Sequence, residues 1–165
     1  MSDSAYIALG SNLGDSYSSL QRAFDELERL SAVPVRRSSI WRTTPVDCPP
    51  GSQPFVNAVA EIVPLREETP ESLLAKLQAI ERKFGRQPRK VLNEPRPLDL
   101  DLIAFGQEVR QTNTLVLPHP RAHQRRFVLQ PLAQIAPEFI FPNQEKTVTE
   151  LLRDLKSDER VERLG

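Results

Sequence analysis

Apolar positions along this chain follow two periods, one of two residues and one of three to four, and the alternation between them orders the expected elements. The run AYIALG, residues 5–10, is short and apolar and ends in GSNLGD, whose glycines and asparagine stop a strand; Asp15 or Ser16 then caps a helix. Leu20, Ala23, Phe24, Leu27 and Leu30 keep the spacing of one buried helical face, with charges between them. VPVRRSSIWRT has the β-branched and aromatic content of a strand, although its alternation is weak. After a proline-rich stretch, FVNAVAEIV sets Val56, Ala58, Ala60 and Ile62 on one face and Phe55 and Asn57 on the other.

TPESLLAKLQAIERKFG carries a full set of helix signals. Thr69 caps it, Pro70 sits in the first turn, Leu73, Leu77, Ile80 and Phe84 form the stripe, and Gly85 stops it. A second proline-rich stretch leads into LDLDLIAF, a strand by alternation, and GQE reverses the chain into VRQ. Beyond lie a proline-bracketed histidine in LPHPRAHQRRF, a helix over VLQPLAQIA, a short strand FIF, and a last helix from about Thr149. The order strand, helix, strand, strand, helix, strand predicts an α+β fold of the ferredoxin-like (βαββαβ) type: an antiparallel sheet with helices on one face, the other face left for loops and a ligand, and additional C-terminal elements.

Composition narrows this only a little. The 165 residues suit one domain, residues 1–165. Twenty-two basic residues balance 22 acidic ones, so the overall field names no partner, and a nucleic-acid partner is not expected. One cysteine, Cys48, excludes an internal disulfide framework and suits a reducing compartment; with no basic leader and no long apolar span, the expectation is a cytoplasmic protein that does not engage a membrane. Seven of the 15 prolines fall in residues 44–54 and 86–97, the longest expected loops.

The candidate chemistry begins in LDLDL. Residues two apart on a strand point the same way, about 6.5 Å apart, so Asp99 and Asp101 face together while Leu98, Leu100 and Leu102 face the core. A solvated acidic face is the commoner meaning of a charged pair, yet exposed strands seldom favour aspartate. The pair fits a Mg²⁺ site, since hard cations take oxygen ligands beside phosphates. Arg96 stands three residues ahead, and Arg86, Arg89 and Lys90 precede it. Guanidinium groups there suit a polyphosphate, whereas the same cluster taken alone reads as a solvated basic loop.

His119 and His123 have the spacing of two helical zinc ligands, but no acid lies between them and Pro120 and Arg121 fill the turn, so a zinc site is rejected. His119, held between Pro118 and Pro120, is either a phosphate donor or an inconsequential turn residue. Arg121, Arg125 and Arg126 repeat the basic theme around Phe127, an aromatic that stacks on a flat heterocycle or simply opens an apolar helix. Phe55 and Asn57 pose the same choice, a stacking face with an edge-reading amide or a partly exposed strand face. GSNLGD lacks the lysine and spacing of a phosphate-binding loop and reads as a turn.

In order along the chain, YIALGSNLGD, SSIWRTTP, FVNAVAEI, IERKFGR, PRPLDLDLIAFG and LPHPRAHQRRFVLQPLAQIAP resemble the 6-hydroxymethyl-7,8-dihydropterin pyrophosphokinase family of folate biosynthesis. The resemblance implies transfer of pyrophosphate from ATP to the pterin hydroxymethyl, with release of AMP. It implies two Mg²⁺ ions on Asp99 and Asp101, and catalytic roles for Arg86 and Arg96 with those aspartates. The pterin would stack between Phe55 and Phe127 and be read by Asn57 and by the chain around Thr43, Thr44 and Val46. Arg86, Arg96, His119 and Arg125 match positions that contact ATP phosphates, and Glu81 matches a position beside the nucleotide or in its supporting shell. Glu81 is unusual locally as well, because an acid in the last turn opposes the helix dipole. Residues 44–54 and 86–97 would act as lids, ATP and the pterin would be the small-molecule partners, and the family default is a monomer.

Some positions depart from the pattern: Glu94 and Leu92 stand where a small and a charged residue are usual, Asn93 replaces a tryptophan of some members, and Pro120 an aromatic or polar residue. Two other functions share the bare features. A magnesium-dependent nucleotidyl transferase or cyclase uses two aspartates on a ferredoxin-like palm, and a non-catalytic RNA-binding module uses the same fold. Balanced charge and the lack of aromatic RNA-recognition strands oppose the latter.

Overall fold

The computed structural model describes residues 4–43, 54–85, 97–157 and 159–164. In chain order the elements are β1 (Ala5–Ser11), α1 (Ser16–Glu28), β2 (Arg36–Arg37), β3 (Trp41–Thr43), β4 (Phe55–Ile62), α2 (Pro70–Lys83), β5 (Asp99–Phe105), β6 (Arg110–Gln111), β7 (Val116–Leu117), a 3-10 turn at Ala122–Gln124, α3 (Arg126–Ile135), α4 (Val148–Asp154) and β8 (Val161–Arg163). The main sheet runs β5-β1-β4-β3-β8, with β2 also paired to β4, and all of its pairings are antiparallel. Among the described residues no helix is long and apolar enough to cross a membrane.

The helix signals act as read. Asp15, the N-cap of α1, accepts from the Ser18 N–H at 3.2 Å. At α2, Thr69 and Ser72 cap each other reciprocally, and Gly85 follows the last turn at φ +93°, a conformation that favours glycine. Leu20, Ala23, Phe24 and Leu27 of α1 and Leu73, Leu77 and Ile80 of α2 pack on Ile7, Leu9, Ala58, Ala60, Leu100 and Leu102. The register sets Ile7 beside Ala60 and Leu102, and Leu9 beside Ala58 and Leu100, so these side chains share one face of the sheet.

The other face corrects the expectation that helices cover only one side. Val128, Leu129, Leu132 and Ile135 of α3, with Val148 of α4, bury against Tyr6, Val59 and Ile103. The sheet therefore lies between two helical layers, α1 and α2 on one face and α3 and α4 on the other. An apolar helical stripe requires a sheet to cover it, and the α1/α2 side was already filled.

Three smaller expectations also change. FIF is not a strand: Phe139 meets Tyr6 at a tilt with centroids 4.7 Å apart, and Phe141 meets Phe139 edge-on at 5.2 Å. The reversal after β5 does not return VRQ to β5; Arg110–Gln111 instead pairs with β7 in a separate ribbon. VPVRRSSIWRT divides into β2 and β3 at Ser38, whose hydroxyl accepts the Val59 N–H at 2.8 Å and so takes the place of a ladder carbonyl.

Candidate active site

Strand β5 stands at one end of the sheet order and exposes Asp101, with Asp99 half-buried. Their shared direction follows from the pleat, and Leu100 between them is buried toward α1 and α2. The backbone linking the two aspartates is fixed from behind. Glu81, 5% exposed, accepts the Leu100 N–H at 2.8 Å through Oε2. That bond uses a ladder donor that an end strand would otherwise leave open, which gives the acid at the end of α2 a physical purpose.

Register then brings three separate segments onto one rung. Gly10 of β1 lies opposite Asp99 on one side and opposite Asn57 of β4 on the other. Asn57 in turn lies opposite Trp41 of β3. Adjacent strands are about 4.8 Å apart, so two carboxylates and an amide share one face with a glycine floor between them. A Cβ on Gly10 would come within 3.1 Å of Asn57 Nδ2 and 4.0 Å of Asp99 Cβ. The missing side chain keeps this gap open.

Asn57 is oriented by Thr43, whose Oγ1 donates to Asn57 Oδ1 at 2.8 Å with both residues buried. With the carbonyl oxygen engaged, the amide turns its Nδ2 toward the gap as a donor. Phe55, half-buried, pairs with Thr43 and lies on the same face as Asn57. Trp41 and Gln134 were not singled out from the sequence. The Trp41 indole N–H donates to Gln134 Oε1 at 3.0 Å, and Ser39 N–H donates to the same oxygen at 2.9 Å, tying α3 to β3. A glutamine within an apolar helical stretch was the only signal available.

His119 joins this edge through its backbone. Strand β5 carries one extra residue, Ile103, between the partners of Tyr6 and Ile7, and the carbonyl of Ile103 accepts the His119 N–H at 2.9 Å. Burial, with the nearby Arg125 and Arg121 guanidinium groups, pushes the imidazole down to about 4, so the ring is neutral at pH 7. Nδ1 accepts the Arg121 N–H at 3.1 Å, which leaves Nε2 to carry the proton and act as a donor. Arg125, just ahead of α3, sets its guanidinium 5.4 Å from the centre of the Phe127 ring. Phe127 also packs on the second core, so the stacking and core readings hold together for this residue.

The structure thus unites Asp99, Asp101, Asn57, Thr43 and Phe55 on one face, suspends His119 from the same edge strand, and pairs Arg125 with Phe127. Thr44, Val46, Arg86 and Arg96 lie outside the described residues. Among the described residues no third His, Cys, Asp or Glu joins Asp99 and Asp101 as a ligand cluster. Two carboxylates beside a cradle that a single Cβ would fill still fit magnesium, which keeps water and phosphate oxygens as its other ligands.

Fold and site together define an α+β protein whose antiparallel sheet sets an acidic edge strand beside a buried, preoriented amide. The chain belongs to the 7,8-dihydro-6-hydroxymethylpterin-pyrophosphokinase family, whose model matches residues 6–137. Similar proteins include the 2-amino-4-hydroxy-6-hydroxymethyldihydropteridine pyrophosphokinases of Haemophilus influenzae (38% identical, 95% of this chain and 96% of that protein) and Bacillus subtilis (43%, 82% and 79%). The Synechocystis enzyme of the same name is 38% identical over 92% of this chain and 75% of that one. In fold, the chain resembles a crystal structure of HPPK-DHPS in complex with substrates, with TM-score 0.71 at 13% identity, covering 92% of this chain. The Plasmodium falciparum HPPK-DHPS with pteroate gives 0.73 at 12% and 93% coverage. The chain spans 43% and 44% of those two longer chains.

Proposed function

We propose that this chain transfers the pyrophosphoryl group of ATP to the hydroxymethyl oxygen of 6-hydroxymethyl-7,8-dihydropterin, releasing AMP, in folate biosynthesis. Membership of the pyrophosphokinase family supports the reaction, and one observation carries it into the structure: the Asp99–Gly10–Asn57 rung. It sets an oriented amide two strand spacings from a pair of carboxylates, the separation a bound heterocycle needs if its substituent is to reach a polyphosphate.

In this reading Asn57 Nδ2 donates to an acceptor on the pterin edge, Thr43 keeps that amide from flipping, and Phe55 and Phe127 supply faces for the ring. Asp99 and Asp101 hold Mg²⁺, two ions in all, which neutralises charge along the triphosphate when bound. His119 offers Nε2–H to a phosphate oxygen, and Arg125 adds a fixed positive charge beside it. The hydroxymethyl oxygen bonds to the β-phosphorus in line with the departing oxygen of AMP, and the hydroxyl proton is released as that bond forms. Positioning by Asn57, Thr43 and the Glu81-braced strand supplies most of the chain's own contribution.

Roles for Thr44, Val46, Arg86 and Arg96 rest on the family resemblance. The strand order β5-β1-β4-β3 with α1 and α2 as crossovers supports the ferredoxin-like reading of the core, and residues 1–165 act as one domain. We place the protein in the cytoplasm as a monomer; light scattering during size-exclusion chromatography checks the latter. The reaction is tested by incubating folded protein with ATP, Mg²⁺ and the hydroxymethyl dihydropterin. AMP must form in a pterin-dependent manner, and release of free pyrophosphate instead would mean nucleotidyl transfer.

A further inference from the structure

Helix α3 opens without a capping side chain of its own. Arg125 occupies the N-cap position in extended conformation and makes no side-chain bond to the helix. The acceptor comes from the far end of the chain: Glu159 Oε1 accepts the backbone N–H of Arg126 at 3.3 Å, across 33 residues. A carboxylate there also meets the positive end of the helix dipole. Glu159 is itself held in place, since Ser157 Oγ donates to Oε1 at 3.1 Å and accepts the Glu159 N–H at 3.1 Å.

The same stretch also reaches the strand that carries Thr43. Beyond Glu159 the chain enters β8, which sets Val161 opposite Thr43, and the Leu164 N–H donates to the Ile40 carbonyl at 2.8 Å. Leu155, Glu159 and Val161 therefore reach both the turn that carries Arg125 and Phe127 and the strand whose Thr43 orients Asn57. All of them lie beyond the 6–137 segment that defines family membership.

We infer that Glu159 is a positioning residue for the pterin subsite: it caps α3 from a distance and fixes where Phe127 stands relative to Asn57. This rests on the pyrophosphokinase reading of the site. Glu159 acts through the turn it caps, so its main effect falls on the ring face that Phe127 supplies, with a smaller one through neighbouring Arg125, and the aspartates of β5 keep their place.

The test is steady-state kinetics of Glu159→Ala and Glu159→Gln in the full chain, with each substrate varied in turn, together with amide exchange over residues 126–129. Glu159→Ala is expected to raise the pterin KM about five- to tenfold and the ATP KM by less, while kcat stays near wild type. Glu159→Gln keeps an acceptor oxygen and restores most of the loss, and exchange over 126–129 speeds up only in the alanine variant. An unchanged pterin KM in Glu159→Ala, or a fall in kcat with both KM values intact, overturns the inference while leaving the reaction standing. Wild-type protein that forms no pterin-dependent AMP overturns the underlying reading and this inference with it.

Discussion

The Thr43 hydroxyl donates to Asn57 Oδ1 at 2.8 Å from the neighbouring strand, and with 6% and 7% exposure the pair is shielded from competing water. Asparagine has two interchangeable-looking ends, and this bond decides which end faces the gap above Gly10. A donor there selects a ligand that presents an acceptor.

Thr43→Val keeps the shape and strand preference of the side chain but removes that bond. The unpaired carbonyl of Asn57 costs about 1–3 kcal/mol of stability, read as a lower thermal midpoint. The amide also loses its fixed direction, so the pterin KM rises about tenfold with the ATP KM unchanged. Equal changes in both KM values would detach Thr43 from pterin recognition.

Asp99→Ala and Asp101→Ala are expected to lower kcat by a factor on the order of 10²–10⁴ while the pterin still binds, as followed by its fluorescence. Wild-type turnover in either variant would take that residue out of the phosphate site.

Glu81→Ala withdraws the acceptor of the Leu100 N–H and is expected to cost about 1–3 kcal/mol of stability. Its kinetic effect falls mainly on kcat, because the backbone it braces links Asp99 to Asp101. Glu81→Gln retains an acceptor and is the milder variant; if the two lose activity equally, the carboxylate charge matters in its own right.

Much of this arrangement was legible in the chain, and the rest depends on partners that local pattern does not name. The alternation in LDLDL fixes that Asp99 and Asp101 face together, and Thr69, Pro70 and Gly85 bound α2, because these are local effects of pleat and cap. The neighbourhood of Asp99, Gly10 and Asn57 is different: it follows from the register of three strands, which long-range pairing sets. GSNLGD therefore reads as a turn, although its first residue is the last but one of β1 and floors the site. The stripe of α3 shows that the helix must bury a face but not which side of the sheet receives it. Strand β8, Val161–Arg163, has no apolar alternation and forms because β3 offers an open edge, and FIF is no strand because Phe139 packs on Tyr6 and Phe141 on Phe139.

His119 gives a pH dependence with a definite sign. Its folded value of about 4 lies below the ordinary 6.5, so between those values the unfolded chain binds more protons than the folded one. Stability therefore rises with pH across that window, and this contribution is lost as pH falls from 6.5 through 4. His119→Gln abolishes the titration, and thermal midpoints measured from pH 7 down to 4 should decline less steeply than in wild type. A triphosphate against Nε2 favours the charged ring, so nucleotide binding takes up protons on the acid side, which calorimetry in buffers of different ionisation enthalpy detects.

Gly10→Ala tests the floor of the site with one methyl group. The residue sits inside β1 with no left-handed backbone requirement, so alanine is acceptable to the strand, and restricting the unfolded chain favours the variant by about 0.4–1 kcal/mol. Against that stands a Cβ 3.1 Å from Asn57 Nδ2, which the amide relieves by turning away from the gap. The fold is therefore expected to hold within a few degrees of thermal midpoint, roughly the span of such a compensation, while hydroxymethyl dihydropterin binding weakens by about tenfold or more. The gap also lies between the amide and Asp99, where in the proposed reading the ring substituent would pass to reach the phosphates. A dihydropterin without a 6-substituent should consequently lose less affinity in Gly10→Ala than the hydroxymethyl compound does. Equal losses for the two ligands would place the hydroxymethyl group elsewhere and leave Gly10 acting only through Asn57.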